Sequence, residues 1–579
     1  MRLRFFHIRH YPPLDDVAIS FSAESLLQHQ CAIRFVVGVN GSGKTHLQQA
    51  IFETFLTLAR NESPPFRVPH YPVTLAYDLG RGAERSTLLF HSDEGLSRAY
   101  WWKLAEPCAA SMTVEDWQAL LVRLRSGETP AEQLITSGGW PSVDPYLPRA
   151  VLAYTTGSLN PWQQIARREP DASEVDLVSQ SLDYDTTQER PAGWDRDQEE
   201  RYQGSQGTEE ARARLEALNA ADQALAPRDQ ERVLLLTPER VKLAFLAAVL
   251  NQSVRDLEQS SDEAGFRRTL QAGLAAQDRR PGEAPPPRPA SLRNLLTQVG
   301  WLWPVSIAWR LDLDLARFKR ERSLTRLKDL YELATAVVRE PEPSRRRTLH
   351  IDLRQDDGDG SAIVRLQAFL GGADQHPYQV FLKLLDLQRT GLLADLDIAL
   401  RKTEPDDCLL FDELSDGEQM FLFRMALFHL LEGYDDALLL LDEPETHFND
   451  KWKREIIDII DGVLKDTAND VLISTHSSIT VSDVFDDEII KLEKQDGHAV
   501  HAAVSAPTFG SDPSEIMINV FDVPDSIGSR ALDWLNAQLK KEWTPEQKEE
   551  LERVIRKIGP GLHRSELRSI WRKLNAPPD

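Results

Sequence analysis

At 579 residues the chain is too long for one ordinary globular core, so two or more domains are expected. Hydrophobic residues at 41% and charged residues at 27% suit a soluble protein with a packed interior, and Cys31, Cys108 and Cys408 are too scattered for a disulfide framework or a metal knuckle, which favours a reducing compartment. The net charge of −24 argues against non-specific coating of nucleic acid, whose phosphates call for Lys and Arg, but a local basic face stays compatible with it.

The opening MRLRFFHIRHYPP lacks the apolar core of a secretory signal. Residues 2–21 alternate polar and apolar side chains around Tyr-Pro-Pro and read as a β-hairpin. Ala32–Val37 is a short buried strand ended by Gly38, and behind it Leu47, Ala50, Ile51, Phe55 and Leu58 recur at helical spacing. Residues 73–77, 87–90 and 151–154 are further strands. The polar segment 183–207 reads as a mobile loop, and RRPGEAPPPRP within 279–289 as an extended breaker. Helical patterns cover 241–250 and 315–338, while 348–353 and 362–369 read as two strands joined by an Asp/Gly turn.

The last third is denser: a helix over 415–431, a strand over 437–441, a helix over 452–464, then strands over 471–475 and 488–492. The tail is helical, with Thr544 as N-cap, Pro545 in the first turn and Gln547 closing a capping box. No uncharged apolar run approaches the ~20 residues of a membrane span, so a cytoplasmic protein without a membrane partner is expected. No internal repeat is visible.

Gly38-Val39-Asn40-Gly41-Ser42-Gly43-Lys44-Thr45 fits G-x-x-x-x-G-K-[ST]. Its glycines let backbone N–H groups turn inward around a phosphate, Lys44 is suited to bridge the β- and γ-phosphates of ATP, and the Thr45 hydroxyl to hold Mg²⁺. The helix start adds its positive end, and His46 is counted with Gly38, Asn40, Gly41, Ser42, Gly43, Lys44 and Thr45 in the nucleotide-binding set. A glycine turn before any helix is the bland alternative; a buried strand before it and an amphipathic helix after it weigh against that.

Ala437-Leu438-Leu439-Leu440-Leu441-Asp442-Glu443 is an apolar strand ending in two acids. A strand buried on both faces of a parallel sheet is a continuous apolar run with ligands at its carboxyl end. Asp442 is then placed for the Mg²⁺ shell and Glu443 to polarise the attacking water, although two acids can also simply cap a buried strand. The strand at 471–475 ends at His476, where a polar side chain can reach a γ-phosphate, although a lone His is as often a surface or satisfied core residue; its order after the acidic strand favours the first reading. Lys44 joins Glu443 and His476 as the third candidate catalytic residue.

Leu414-Ser415-Asp416-Gly417-Glu418-Gln419 is by itself a helix start with a capping box. It resembles the LSGGQ-type signature of ABC ATPases and precedes the acidic strand as it does in them, with Asp416 and Glu418 as mild departures. The resemblance implies that Ser415 and Gly417 touch the γ-phosphate of ATP held by the opposite subunit. With one phosphate loop and one signature per chain, it implies a homodimer joined through ATP. About 370 residues separate Thr45 from Leu414, which is unlike a transporter subunit and resembles the structural-maintenance-of-chromosomes, RecF-like and overcoming-lysogenisation-defect ATPases. Glu443-Pro444-Glu445-Thr446-His447-Phe448 is similar to the DEPExHLHP stretch of the last group, and Asn449-Asp450 departs from it.

The implied fold is α/β: an ABC ATPase head, a P-loop NTPase with a mixed sheet flanked by helices, carrying a large mainly helical insertion and a helical C-terminal tail. Residues 1–165 and 401–510 are expected to build the head, 166–400 the insertion and 511–579 the tail. The insertion lacks the sustained heptads of a coiled-coil arm, and the roughly hundred residues after His476 lack the early Glu and later Asp-x-Asp of a topoisomerase-primase nuclease, so an ATPase without its own nuclease is expected. The resemblance implies an ATP hydrolase using Mg²⁺ that senses or engages DNA and controls a partner effector, a nuclease or toxin, in anti-phage defence or restriction. The alternatives are a RecF-like repair or chromosome-maintenance ATPase and a non-hydrolysing ATP-gated scaffold.

Four further features stay open between readings. Arg317, Lys319, Arg320, Arg322, Arg326 and Lys328, followed by Arg345, Arg346 and Arg347, suit a DNA-facing groove or a solvated, ion-paired face. Asp356, Asp357 and Asp359 lack the bidentate Glu of a calcium loop and read as a hairpin turn. Trp301, Trp303 and Trp309 read as core or interface aromatics. Gln163 and Gln164 are the candidates for the family's glutamine-loop residue.

Overall fold

The computed structural model of the chain describes residues 1–21, 29–60, 68–93, 99–109, 111–134, 144–167, 232–260, 292, 296, 301–312, 321–341, 346–353, 362–371, 375–389, 391–402, 408–525 and 527–575. The proposed loop at 183–207, the breaker at 279–289, the Asp356–Gly360 turn, and Arg317, Lys319, Arg320 and Arg345 lie outside them.

The central sheet has seven strands: β3 (Ala32–Val37), β8 (Ala150–Thr155), β9 (Val233–Leu236), β15 (Ala437–Asp442), β16 (Asp470–Ser474), β17 (Ile489–Gln495) and β18 (His498–Ala502). Their order is β18-β17-β3-β16-β15-β8-β9, parallel throughout except for β18 at the edge. Every residue of β15 is buried, as a strand covered on both faces must be. Leu438 and Leu440 pack with Leu47, Ala50 and Ile51 of the helix Lys44–Ala59 on one face. Leu439 and Leu441 pack on the other with helices Asp416–Leu430, Asp450–Leu464 and Pro238–Ser260.

A six-stranded antiparallel sheet lies beside it, built from β1 (Arg2–Ile8), β2 (Val17–Ser20), β4 (Val73–Leu79), β5 (Ser86–Ser92), β6 (Ala99–Leu104) and β7 (Ala131–Gln133) in the order β2-β1-β4-β5-β6-β7. The hairpin expected over 2–21 is its β1–β2 pair. One face shares the core of the helix Lys44–Ala59, and the other is closed by Trp117, Leu120 and Leu124 of the helix Val114–Ser126.

Within 166–400 the described residues hold more helix than strand, as expected, yet two features were not anticipated. Val233–Leu236 forms the edge strand of the central sheet, so the head reaches into residues assigned to the insertion. The other strands belong to a five-stranded antiparallel sheet ordered β11 (Ala336–Arg339), β12 (Arg346–Asp352), β10 (Trp301–Asp312), β13 (Asp395–Lys402), β14 (Cys408–Leu410). The strand expected at 348–353 is there, but residues 362–369 are a helix, Ala362–Phe369. The reason is in the burial: Ile363, Leu366 and Gln367 recur at i, i+3, i+4 against the helix Pro238–Ser260. The helical pattern over 315–338 holds for Glu321–Leu333 and then gives way to β11.

Trp309 is fully buried in the core. Of the basic residues in the proposed DNA-facing stretch, Lys328 pairs with Glu332 at 3.6 Å and Arg346 with Asp312 at 3.4 Å. Both contacts belong to the ion-paired alternative. The tail forms helices Ser529–Lys540, Lys548–Lys557 and Leu562–Leu574 around their own cluster of Trp543, Leu551, Ile555 and Leu567. No helix among the described residues is long and apolar enough to cross a membrane.

Candidate functional site

The carboxyl ends of β3, β16, β15 and β8 are neighbours, and that adjacency gathers the predicted residues. Gly38 ends β3 with φ 149°, Gly41 and Gly43 take φ 79° and 96°, and Gly43 precedes the helix Lys44–Ala59. Lys44 is buried, and its Nζ donates to the Gly38 and Val39 carbonyls at 2.9 and 3.3 Å, so its charge is parked on its own loop rather than on an acid. Burial lowers the Lys44 ammonium to a pKa of about 8, against the opposing pull of Glu443 and Asp442. Asn40, Gly41 and His46 are exposed at the loop surface. Partial desolvation against the loop lowers the His46 pKa, offset in part by Asp442.

Asp442 ends β15 and is buried. Its Oδ1 accepts from Thr45 Oγ1 at 2.9 Å and Ser474 Oγ at 2.5 Å, and its Oδ2 accepts from Thr155 Oγ1 at 2.9 Å. Thr45 was anticipated as its neighbour; Thr155 and Ser474 were not. Both end apolar strands paired to β15, with registers Asp442↔Thr155 and Asp442↔Ser474. The only sequence signal was an apolar run closing on a hydroxyl. Gln48, also unanticipated, spans the backbone beneath, donating to the Leu441 and Leu472 carbonyls at 3.0 Å each.

Glu443 stands at φ 51°, a left-handed conformation unusual for a residue with a side chain. It is held there by its N–H donating to the Ser474 carbonyl at 2.9 Å and its carbonyl accepting from Thr156 Oγ1 at 3.0 Å. Strained backbone that the surroundings over-determine clusters at working sites. His476 Nε2 lies 3.2 Å from Glu443 Oε1, both half exposed. Burial lowers the His476 pKa first and the Lys44 charge lowers it further, with Glu443 and Asp442 opposing.

Ser415 caps the helix Asp416–Leu430. Its Oγ and N–H both engage Glu418 Oε2, at 2.7 and 3.0 Å, while the Glu418 N–H donates to Ser415 Oγ at 3.4 Å, the capping box expected. Gly417 lies against the His447 carbonyl, 3.4 Å from where a Cβ would stand. Among the described residues no hydrogen bond joins Ser415 or Gly417 to the loop Gly38–Thr45, and Ser415 faces solvent. Asn449, where the chain departs from the resembled DEPExHLHP, is the N-cap of the helix Asp450–Leu464 and accepts from Trp452 N–H at 2.9 Å. Gln163 and Gln164 sit on the helix Leu159–Arg167, half-buried and exposed, with no described hydrogen bond to Asp442.

These residues fit a nucleotide phosphate with a hard cation. Among the described residues the buried Ser42 hydroxyl has no hydrogen-bond partner inside the glycine loop, an orphan that a phosphate oxygen would satisfy. Thr45 and Asp442 offer an oxygen-only donor pair, the chemistry Mg²⁺ selects.

No curated protein matches the chain. A family described as "AAA domain, putative AbiEii toxin, Type IV TA system" matches residues 252–482, a span that takes in Ser415, Asp442, Glu443 and His476. Among solved structures the chain is similar to the Smc head bound to the C-winged helix domain of ScpA, with 10% identity and a TM-score of 0.32 over 87% of this chain and 98% of that one. It is similar to the Smc head domain with an extended coiled coil bound to the C-terminal domain of ScpA from Pyrococcus furiosus, with 14% identity and a TM-score of 0.29 over 87% and 96%. The SMC head domain from Thermotoga maritima gives 10% identity and a TM-score of 0.29 over 87% and 100%.

Proposed function

We propose, from the premise that fold and motifs are those of an ABC-class P-loop ATPase of the structural-maintenance-of-chromosomes and RecF type, that this chain binds and hydrolyses ATP between two copies of itself. The supporting observation is the convergence of Lys44, Thr45, Asp442, Glu443 and His476 at the carboxyl ends of the central strands, while Ser415 caps a solvent-facing helix start. In this reading the Lys44 ammonium leaves its loop carbonyls for the β- and γ-phosphates, and the loop N–H groups and Ser42 hydroxyl hold the β-phosphate. Thr45 and Asp442 hold Mg²⁺, which neutralises charge on the phosphates when bound. Glu443 takes the proton from the water that attacks the γ-phosphorus, and ADP and inorganic phosphate leave. His476, next to Glu443, donates toward the γ-phosphate. Ser415 and Gly417 of the second copy close the site with the free N–H groups of their helix start.

The head is residues 1–165 and 411–510 together with the strand Val233–Leu236, the insertion is the rest of 166–410, since β14 closes its sheet, and the tail is 511–579. The wider role we assign is a cytoplasmic switch that senses or engages DNA through the insertion and controls a partner effector, a nuclease or toxin, in anti-phage defence. Two things support it. The matched family is described with a toxin and a toxin–antitoxin system. Lys242, on the helix Pro238–Ser260, reaches Asp397 of the insertion sheet at 3.4 Å and Asp412, three residues before Ser415, at 2.6 Å, a route from insertion to signature.

The test is ATP turnover with Glu443→Gln, which keeps the shape and removes the base. Turnover should fall at least about a hundredfold with ATP still bound, in line with the loss of a general base. Wild-type protein without turnover would instead favour the gated scaffold. Mixing Lys44→Ala and Ser415→Arg chains, each inactive alone, should restore roughly a quarter of wild-type turnover, since half the dimers are mixed and each then holds one intact composite site. No recovery on mixing would remove the shared site. Duplex DNA that changes neither turnover nor dimerisation would remove the DNA-sensing part alone.

A further inference from the structure

Behind the half-exposed couple of Glu443 and His476 lies a buried pair with no assigned role. Glu445 and Thr475 are 4% and 0% exposed, and the Thr475 hydroxyl donates a hydrogen bond to Glu445 Oε1. The same hydroxyl accepts from the Ser477 N–H at 2.9 Å, so it braces the backbone on the far side of His476. On the near side the Thr475 N–H donates to the Val36 carbonyl at 3.2 Å, in the strand that leads into the phosphate loop. Glu445 is tied in turn to the chain that carries Glu443: its carbonyl accepts from Phe448 N–H at 3.0 Å, and the Glu443 carbonyl accepts from Thr446 N–H at 3.1 Å.

We propose that Glu445 and Thr475 are positioning residues: one buried hydrogen bond locks the loop that bears Glu443 to the strand end that bears His476, and so sets their mutual geometry. This rests on the reading of Glu443 and His476 as the catalytic couple.

A purely structural role is the competing account, and the carboxylate itself weighs against it. Among the described residues Glu445 Oε2 is buried without a hydrogen-bond partner, so desolvation of that oxygen is not offset by a direct contact. An apolar side chain of similar size fills such a site as well or better where stability alone is at stake. Burial and the nearby Glu443 push the Glu445 carboxyl up, while the Thr475 hydroxyl pulls it down as its largest compensation. The contacts that offset the burial, the Thr475 hydroxyl first and the backbone of Glu445 and His476 after it, therefore tie the loop of Glu443 to the strand end that bears His476. Arg424 closes the space from the signature helix, its guanidinium 4.2 Å from the Phe448 ring and its Nη2 donating to the Thr446 carbonyl at 3.1 Å. The loop 443–449 therefore has little other freedom to take up a change at Glu445.

The experiment measures kcat and the dissociation constant of a non-hydrolysable ATP analogue in full-length Thr475→Val, Thr475→Ser, Glu445→Ala, Glu445→Gln and the double variant Glu445→Ala/Thr475→Val, with Glu443→Gln alongside. Thr475→Val, an isosteric loss of the hydroxyl, should lower kcat at least about tenfold and leave analogue binding within about twofold, and Thr475→Ser should restore most of the loss. Glu445→Gln, whose amide oxygen still accepts, should lose less than Glu445→Ala. The double variant should lose clearly less than the product of the two single losses, because both remove the Glu445–Thr475 contact while only Thr475→Val also takes the acceptor from the Ser477 N–H. Thr475→Val within twofold of wild type in kcat, or losses that multiply in the double variant, would overturn the inference. If Glu443→Gln is silent, the catalytic reading itself fails; if Glu443→Gln is dead and Thr475→Val is active, only the positioning role fails.

Discussion

Replacing Gly38 by Ala tests whether the phosphate loop is set by its contact with the neighbouring strand. At Gly38 an added Cβ would stand 2.1 Å from the Leu492 carbonyl oxygen and 2.6 Å from Ser42 Oγ. Ordinary carbon–oxygen contact begins near about 3.3 Å, so the overlap with the carbonyl exceeds roughly 1 Å. That carbonyl is backbone of β17, whose Lys491 pairs with Val37 of β3, so relief requires the strand to move rather than a side chain to turn. Overpacking of this kind costs about 1–3 kcal/mol and φ 149° adds about 1–3 more for a residue with a Cβ. At roughly 2–4 °C per kcal/mol the sum of about 2–6 kcal/mol lowers the melting temperature by about 4–24 °C. Gly41→Ala is the control, since φ is 79° there and nothing lies within 4 Å of the new methyl, which leaves only the backbone term. Scanning calorimetry with titration of an ATP analogue reads both effects. Gly38→Ala should melt well below Gly41→Ala and lose analogue binding. A Gly38→Ala protein that melts and binds like wild type would refute the reasoning.

Three further outcomes are expected. Lys44 must be protonated to hold phosphates, and its pKa without nucleotide is about 8, so affinity for ATP should be full below about pH 7 and fall as pH rises through 8, by at most about tenfold per unit; calorimetric titration from pH 7 to 9.5 reads it, and a flat profile contradicts it. Asp442→Asn turns one of the oxygens facing the Thr45, Thr155 and Ser474 hydroxyls into a donor, so Mg²⁺-dependent turnover should fall about a hundredfold, as chelation of Mg²⁺ from wild type should also do; turnover indifferent to chelator argues against the Thr45–Asp442 cation site. Asn449→Ala removes the cap of the helix Asp450–Leu464 and should cost about 1 kcal/mol by denaturant titration, whereas Asn449→Asp should cost little.

The local structure of the candidate site was legible in the chain because each part is encoded within a few consecutive residues. The glycine loop before Lys44, the apolar run into Asp442 and the Ser415–Glu418 capping box need no distant partner to be recognised, and each stands where its pattern put it. Local pattern failed where an apolar run allows two periods. Residues 362–369 are helical because Ile363, Leu366 and Gln367 find the helix Pro238–Ser260 to pack on, and the five-stranded sheet around Trp309 forms from segments whose partners lie far along the chain. The second ring of the site was decided by tertiary structure alone. Thr155 and Ser474 meet Asp442 only because β8 and β16 flank β15, and Thr475 meets Glu445 only because β16 ends beside the loop that follows β15. Strand order is a property of how buried faces pair across hundreds of residues. A side chain's neighbours along the chain are written in the sequence, and its neighbours across a sheet are chosen by the packing that excludes water.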